Sequence, residues 1–156
     1  WGIFMDCDQL MLTDIAELWA LRDDSYAVMV RKHDHVPRED TKFLGAKQLP
    51  YPRKNWSSLM MFNNRRCDIL TEGYVADAAP VDLHRFLWLW GKDSSIGDLP
   101  VGWNHLVGYD EPNPAAKHVH YTLGGPYFHE YQNCEHSVEW RRERDAMLYC
   151  MQRGGL

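Results

Sequence analysis

The sequence predicts an α/β fold, because apolar strands and helix starts alternate along it. The apolar run Ile3–Met5 is followed by an acidic turn and then by a helix start at Asp14. Asp14 with Glu17 three residues later is a capping-box pattern, which marks a helix N-terminus. A second apolar run with β-branched residues, Tyr26–Val30, predicts another buried strand. Strand, turn, helix and strand therefore follow one another from the first residues onward.

Later segments continue this alternation. Leu59–Phe62 is an apolar strand, and Lys117–Thr122 alternates between polar and apolar residues as a half-buried strand does. Thr71 is a predicted N-cap for the helix that follows it, and Val81–Trp90 is apolar with a helical period. Glu135–Met151 has charges at helical spacing and predicts a helix with a solvated face.

Composition restricts the class of protein. The 156 residues are one domain's worth, with 45% hydrophobic and 25% charged residues, an ordinary globular balance. The formal net charge is −5 and no basic stripe occurs, so nucleic acid is not an expected partner. No apolar run approaches the ~20 residues that a membrane-spanning helix needs.

Cysteine spacing bears on the compartment. No Cys-x-x-Cys pair occurs among the four cysteines, which are Cys7, Cys67, Cys134 and Cys150. Scattered cysteines of this kind favour reduced thiols and a cytoplasmic protein, although four could form two disulfides in an exported chain.

The acidic turn Asp6-Cys7-Asp8 has the residue types of a cation site. In open α/β sheets, ligands lie outside the carboxyl ends of the strands. Carboxylates at that edge can hold a divalent cation, which can neutralise a diphosphate. A solvated turn is the alternative, because Asp is common in turns for its local hydrogen bonds. Taken by itself, the Asp-x-Asp pair favours the solvated turn, and the larger pattern decides between the two.

That larger pattern is an apolar strand, Asp6-Cys7-Asp8, and then Asp14-x-x-Glu17-Leu18. It resembles the metal-binding stretch of GT-A-fold glycosyltransferases, most of all glycosyltransferase family 8, which includes glycogenin and bacterial galactosyltransferases. In that family an aspartate-any-aspartate motif binds manganese, which holds the diphosphate of a nucleotide-sugar. The resemblance implies that Asp6 and Asp8 bind Mn²⁺ or Mg²⁺, and that the fold is a GT-A-like mixed sheet flanked by helices.

The end of the chain carries a second part of the resemblance. Family 8 closes its site with His-x-x-Gly-x-x-Lys-Pro-Trp, whose His is a third metal ligand and whose Lys contacts the diphosphate. His120 matches the His, and Pro126-Tyr127 resembles Pro-Trp, but the Lys is absent. Glycine amides can bind phosphate in its place. The predicted phosphate contacts are therefore the amides of Gly124 and Gly125 and the side chains of Arg53 and Lys54, the last two being equally compatible with a solvated basic turn.

The segment around Leu59–Phe62 resembles the family strand Asn-Ser/Ala-Gly-Val-Met-Leu-Ile-Asn, which lines the sugar pocket. Trp56 stands where the family has Asn, and Ser58 where it has Gly. The resemblance implies sugar contacts from Ser57 and Ser58, with Asn55 replacing the family's Asn from one position earlier.

Two further segments concern catalysis and the acceptor. Where family 8 has an Asp-Gln-Asp helix start, this chain has Leu83-His84-Arg85, so the catalytic residues are unassigned, with His84 and Arg85 as candidates. The stretch from Leu99 to Asn104 resembles the family's Leu-Pro-x-x-Trp-Asn, which implies acceptor binding by Trp103 and Asn104. Packing is the alternative role for Trp103.

The predicted reaction is sugar transfer from a nucleoside-diphosphate sugar to a hydroxyl of a carbohydrate or another acceptor, with the metal as Lewis acid. Residues 1–156 would form part of one catalytic domain. Because a central strand is predicted at its start, the chain is expected to lack the N-terminal βαβ units. The rival prediction is a histidine-based metal-binding protein or metallohydrolase. It would bind Zn²⁺ or Fe²⁺ through His118 and His120 with His129 or His136.

Overall fold

A computed structural model describes residues 1–34 and 52–152, which form a mixed α/β fold. The strands are β1 (Gly2–Met5), β2 (Gln9–Met11), β3 (Val28–Val30), β4 (Leu59–Phe62), β5 (Ile96–Asp98), β6 (His105–Leu106) and β7 (His118–His120). The helices are α1 (Ile15–Trp19), α2 (Glu72–Asp77), α3 (Pro80–His84) and α4 (Ser137–Gln152). Within this part of the chain, no helix combines the length and apolar character that crossing a bilayer requires.

The larger sheet has the strand order β1-β4-β3-β5, and its two inner strands pack into core clusters on both faces. Strand β4 is antiparallel to β1 and to β3, whereas β3 and β5 are parallel. Successive side chains of a strand point to opposite faces. Val28 and Val30 accordingly belong to the core cluster of Phe86 and Trp88, and Met29 belongs to the cluster on the other face. The predicted mixed sheet is confirmed, with β1 at one edge among the described strands rather than in the centre.

The smaller sheet has the order β2-β7-β6 and separates an apolar face from a polar one. Strand β7 pairs antiparallel with β2, so that Gln9 faces His120 and Leu10 faces Val119. Leu10 and Val119 pack into a third apolar cluster, which Trp140 of α4 covers. His118 and His120 share the opposite face, as the alternating sequence predicted, and both are buried there.

The acidic turn joins the two sheets. It connects β1 of the larger sheet to β2 of the smaller one. The backbone N–H of Asp6 donates to the carbonyl oxygen of Ser58 at 2.9 Å, and the carbonyl oxygen of Asp8 accepts from the N–H of Tyr121 at 3.0 Å. The backbone of the turn is therefore held by the residue before β4 on one side and by the residue after β7 on the other.

The start of helix α1 is determined by a local N-cap. The carboxylate of Asp14 accepts from the N–H of Ala16 at 2.8 Å, so the predicted N-cap is confirmed. Glu17 does not complete a capping box, because its carboxylate accepts from the hydroxyl of Thr13 and from the ammonium of Lys117. Leu18 is fully buried in the core on the inner side of the helix.

The continuous helix predicted over residues 81–90 is wrong. Helix α3 ends at His84, and Phe86 adopts a left-handed backbone with φ 60°. A 3₁₀ turn, Leu87–Leu89, then carries Trp88 into the core beside Phe86. The two buried aromatic rings lie two positions apart, a spacing that one face of an α-helix does not provide, so core packing overrides the helical period.

Candidate metal centre

Three side chains from distant parts of the sequence converge beside the acidic turn. Asp6, Asp8 and His120 each offer a ligand atom, and these atoms all lie within 4.8 Å of one another. The Nε2 atom of His120 is 3.4 Å from Oδ1 of Asp8. The expectation that the three residues lie close together is confirmed. That they bind a metal stays a prediction.

The three residues differ in their exposure to solvent. The His120 side chain is 4% exposed, Asp8 is half-buried and Asp6 is exposed. Two carboxylates and an imidazole form a donor set that suits Mn²⁺. Because the Asp6 side is open to solvent, oxygen atoms of water or of a ligand have access there.

A buried polar network lies next to this centre. The side-chain amide of Asn104 donates at 2.9 Å to the carbonyl oxygen of Asn55 and at 2.9 Å to the hydroxyl of Ser58. The amide oxygen of Asn104 accepts from Gln9 at 3.4 Å. Since Gln9 directly follows Asp8 and is paired with His120, the network is continuous with the three candidate ligands.

His118 joins the same network as a neutral side chain. Its Nδ1 atom accepts from the backbone N–H of Asn104 at 3.2 Å, so its proton is on Nε2. Burial, together with the nearby His120, lowers the pKa of His118 to about 4. The imidazole is therefore uncharged at neutral pH and contributes a donor without adding positive charge.

Several atoms of this region have unused hydrogen-bonding capacity. Within residues 1–34 and 52–152, four buried atoms of the network and the centre have no hydrogen-bond partner, namely Gln9 Oε1, Asn55 Nδ2, His118 Nε2 and His120 Nδ1. Buried polar groups in native proteins are nearly always paired with protein, water or ligand. The concentration of unpaired atoms around one site indicates that a polar ligand or ordered water completes it.

The two predicted sugar-binding serines have different partners. Ser58 is part of the network, and the hydroxyl of Ser57 is 2.7 Å from Nδ1 of His84. His84 is exposed at the end of α3. For Arg85 the described contact is made by its backbone carbonyl, which accepts from Arg53 at 2.7 Å. A catalytic role for His84 or Arg85 stays a prediction.

Arg53 is held by other protein groups. Besides the carbonyl of Arg85, its guanidinium donates to the Asp93 carboxylate at 2.6 Å. The positive charge is paired with the carboxylate of Asp93, and the contact of Arg53 with a phosphate stays a prediction. Lys54 is half-buried in the same turn.

The structure therefore predicts a stabilising role for Arg53. We expect Arg53→Ala and Asp93→Ala each to lower the free energy of unfolding by about 1 kcal/mol, because either substitution alone breaks the ion pair between the two side chains. The double variant should lose little more than either single variant, as measured by urea unfolding. Arg142→Ala serves as a control, since the Arg142 side chain is 72% exposed. Additive losses in the double variant would mean that the pair contributes nothing.

The two glycines after β7 are required by aromatic neighbours. Gly124 has φ 141°, and a Cβ atom there would lie 2.6 Å from the ring of Tyr131. A Cβ atom on Gly125 would lie 2.4 Å from the ring of Tyr127. The N–H of Gly124 donates to the carbonyl oxygen of Tyr121 at 2.8 Å, so this amide is already used within a turn. For Gly124, this corrects the predicted phosphate contact.

Burial also corrects the predicted acceptor residues. Trp103 is 2% exposed and packs with Leu18 and Leu59 in the core, and Asn104 is fully buried in the polar network. Neither side chain is accessible to an acceptor. The alternative role of Trp103 in packing is the one that the structure supports.

The ligand set of the rival prediction does not assemble. His120 converges with the two aspartates, whereas His136 converges with His105 and Glu135. His129 is exposed on a 3₁₀ turn. Among the described residues, no group joins His118 and His120 to either of these two histidines.

Gln9 is a site residue that the sequence did not predict. Gln9 enters the network from β2, and its place beside His120 depends on strand pairing. Burial and the negative charge of Asp8 raise the pKa of Tyr127. The position of Gln9 directly after the Asp-x-Asp motif was the available sequence signal.

The chain is similar to Protein CDI of Arabidopsis thaliana. The two are 43% identical over 152 residues, which cover 93% of this chain and 58% of the Arabidopsis protein. The chain thus spans less than two thirds of that relative's length. No protein-family profile matches the chain, and no solved structure matches it.

Proposed function

We propose that this chain is the metal- and sugar-binding part of a GT-A-like glycosyltransferase, which moves a sugar from a nucleoside-diphosphate sugar to an acceptor hydroxyl. The observation that supports this proposal most strongly is the convergence of Asp6, Asp8 and His120. The two aspartates belong to the strand-and-turn motif and the histidine to the terminal motif of the family 8 resemblance. Two separately recognised motifs that meet at one point support a shared ligand.

The donor set supports Mn²⁺ as the cofactor, with Mg²⁺ as the alternative. When bound, the cation would supply a Lewis acid that stabilises the departing diphosphate. Asp6, Asp8 and His120 would hold it from the protein side, and the exposure of Asp6 leaves that side open to diphosphate oxygens.

The neighbouring network supports a sugar as the second part of the ligand. Asn55 Nδ2 and His118 Nε2 are unpaired donors, and Gln9 Oε1 is an unpaired acceptor, within the described residues. Because these atoms are buried, sugar hydroxyls, which both donate and accept, would reach them through bridging water. The Ser57–His84 pair would border the sugar, where His84 is the proposed group for proton transfer.

The compartment is part of the same proposal. All four cysteines have free thiols in the structure, which supports a cytoplasmic protein in which thiols stay reduced.

A calorimetric titration tests the proposed function. Uridine and guanosine diphosphates should bind the 156-residue chain in the presence of Mn²⁺, and addition of EDTA should abolish binding. His120→Gln should lower the affinity at least ~10-fold, because it removes the imidazole ligand of the proposed site. His129→Gln is the matched control, since His129 is exposed outside the site. Nucleotide binding that needs no metal, or wild-type affinity in His120→Gln, would contradict the proposal.

A further inference from the structure

A second group of metal-ligand side chains lies away from the acidic turn. His105 is on β6, and Glu135 and His136 directly precede α4. Their ligand atoms all lie within 4.8 Å of one another. Nε2 of His105 is 3.0 Å from Oε2 of Glu135, and Nε2 of His136 is 3.4 Å from Oε1 of the same carboxylate. The two imidazoles therefore approach one carboxylate through the same type of nitrogen. Nε2 of His136 also lies 3.2 Å from the carbonyl oxygen of Asn113, a contact that a bound metal would replace.

Each imidazole has a further carboxylate at its other nitrogen. Nδ1 of His105 is 3.6 Å from Asp110, and Nδ1 of His136 is 3.7 Å from Glu139. Histidines that ligate metals commonly present the remaining ring N–H to a carboxylate, which orients the ring and raises its basicity. Both rings have a carboxylate on this side, at ion-pair distance rather than hydrogen-bond distance.

The charge and the burial of this group both favour a bound cation. The histidine side chains are 4% and 7% exposed. In the described part of the chain, the ion pairs of Asp110, Glu135 and Glu139 all go to these two imidazoles. Three carboxylates around two imidazoles leave an excess of negative charge, which a divalent cation would compensate.

Glu135 is held in a fixed orientation. Its carboxylate accepts a 2.8 Å hydrogen bond from the N–H of Asn113 and lies 3.0 Å from Nε2 of His105.

We propose that His105, Glu135 and His136 bind a transition-metal ion of the Zn²⁺ type. Two imidazoles and one carboxylate suit Zn²⁺ in preference to Mg²⁺ or Ca²⁺, which take oxygen ligands. The site shares no residue with the Asp6–Asp8–His120 centre, so it does not depend on the proposed function. The metal would fasten the start of α4 to β6, two elements far apart in the sequence.

Co²⁺ is the spectroscopic probe for this site. The 156-residue chain carrying Asp8→Asn, which impairs the first centre, should bind one Co²⁺ with visible absorption bands. Zn²⁺ should displace the Co²⁺, and Mg²⁺ in excess should not. If this variant shows no Co²⁺ absorption at micromolar metal, the proposal is overturned. The three side chains would then form a hydrogen-bonded cluster only.

Two conservative variants identify the ligands. Glu135→Gln keeps the size of the side chain. His136→Asn suits the left-handed backbone at this position, where φ is 57°. Each should lower the Co²⁺ affinity at least ~10-fold, whereas Glu130→Gln and His129→Gln, both exposed on the neighbouring turn, should not. Unchanged Co²⁺ affinity in Glu135→Gln and His136→Asn would overturn the assignment.

A measurement on the wild-type chain does not depend on the folding of any variant. Stoichiometric Zn²⁺ should raise its melting temperature, because an ion that binds only the folded state stabilises that state. The same amount of Mg²⁺ is the control. A melting temperature that Zn²⁺ leaves unchanged would contradict the site.

Discussion

The Asp8→Asn variant should lose Mn²⁺-dependent binding of nucleoside diphosphates, with an affinity for Mn²⁺ lower on the order of 100-fold, or about 2.8 kcal/mol. The substitution removes a ligand charge from a site for a hard cation, where affinity depends on the number of charged ligands. The fold should remain intact, because the hydrogen bond from Tyr121 goes to the backbone carbonyl of Asp8. The paramagnetic resonance signal of free Mn²⁺ measures the affinity directly.

Asp145→Asn is the matched control for this measurement. It removes the same charge from a side chain that is 64% exposed on α4. The control should bind Mn²⁺ as the wild type does. Equal Mn²⁺ affinity in Asp8→Asn and wild type would instead identify Asp6-Cys7-Asp8 as an ordinary solvated turn.

Trp103→Ala should lower the free energy of unfolding by about 3–5 kcal/mol, the usual cost of removing a large aromatic side chain from a core. Trp103 is 2% exposed and packs with Leu18, Met29 and Leu59 between α1 and the larger sheet. The cavity left by the indole would lie under both elements. Urea unfolding followed by circular dichroism measures the loss.

Trp90→Ala is the control, since Trp90 is 73% exposed. Its removal should change the free energy of unfolding by less than about 0.5 kcal/mol. If Trp103→Ala were instead as stable as the wild type and bound a carbohydrate acceptor more weakly, the acceptor role expected from the resemblance would be restored.

Local signals in the sequence determined the starts of α1 and α2 and the alternation of β7. Asp14 and Thr71 cap α1 and α2 as predicted, because a cap needs only a side chain and the backbone N–H groups of the next turn. The alternation around Val119 likewise predicted the shared face of His118 and His120, since a period of two belongs to the strand itself.

The residues that converge at the candidate centre could be proposed only through a family resemblance. Nothing local to Asp8 or His120 encodes their approach. It results from the antiparallel pairing of β2 with β7, which sets Gln9 opposite His120 and so carries Asp8 to the same edge. Pairing between strands depends on how the whole chain packs, so spacing in the sequence does not reveal it.

Tertiary packing also decided the surroundings of residues for which binding roles were predicted. Trp103 lies in the core because burying an indole stabilises the fold, and Arg53 pairs with Asp93 through their opposite charges. The break at Phe86 has the same origin, since two aromatic rings could reach the core only by leaving the helix. The sequence by itself thus determined the caps, the strand periodicity and the acidic motif. Only the tertiary structure decided which of the polar residues face a site, because burial and pairing are properties of the packed chain.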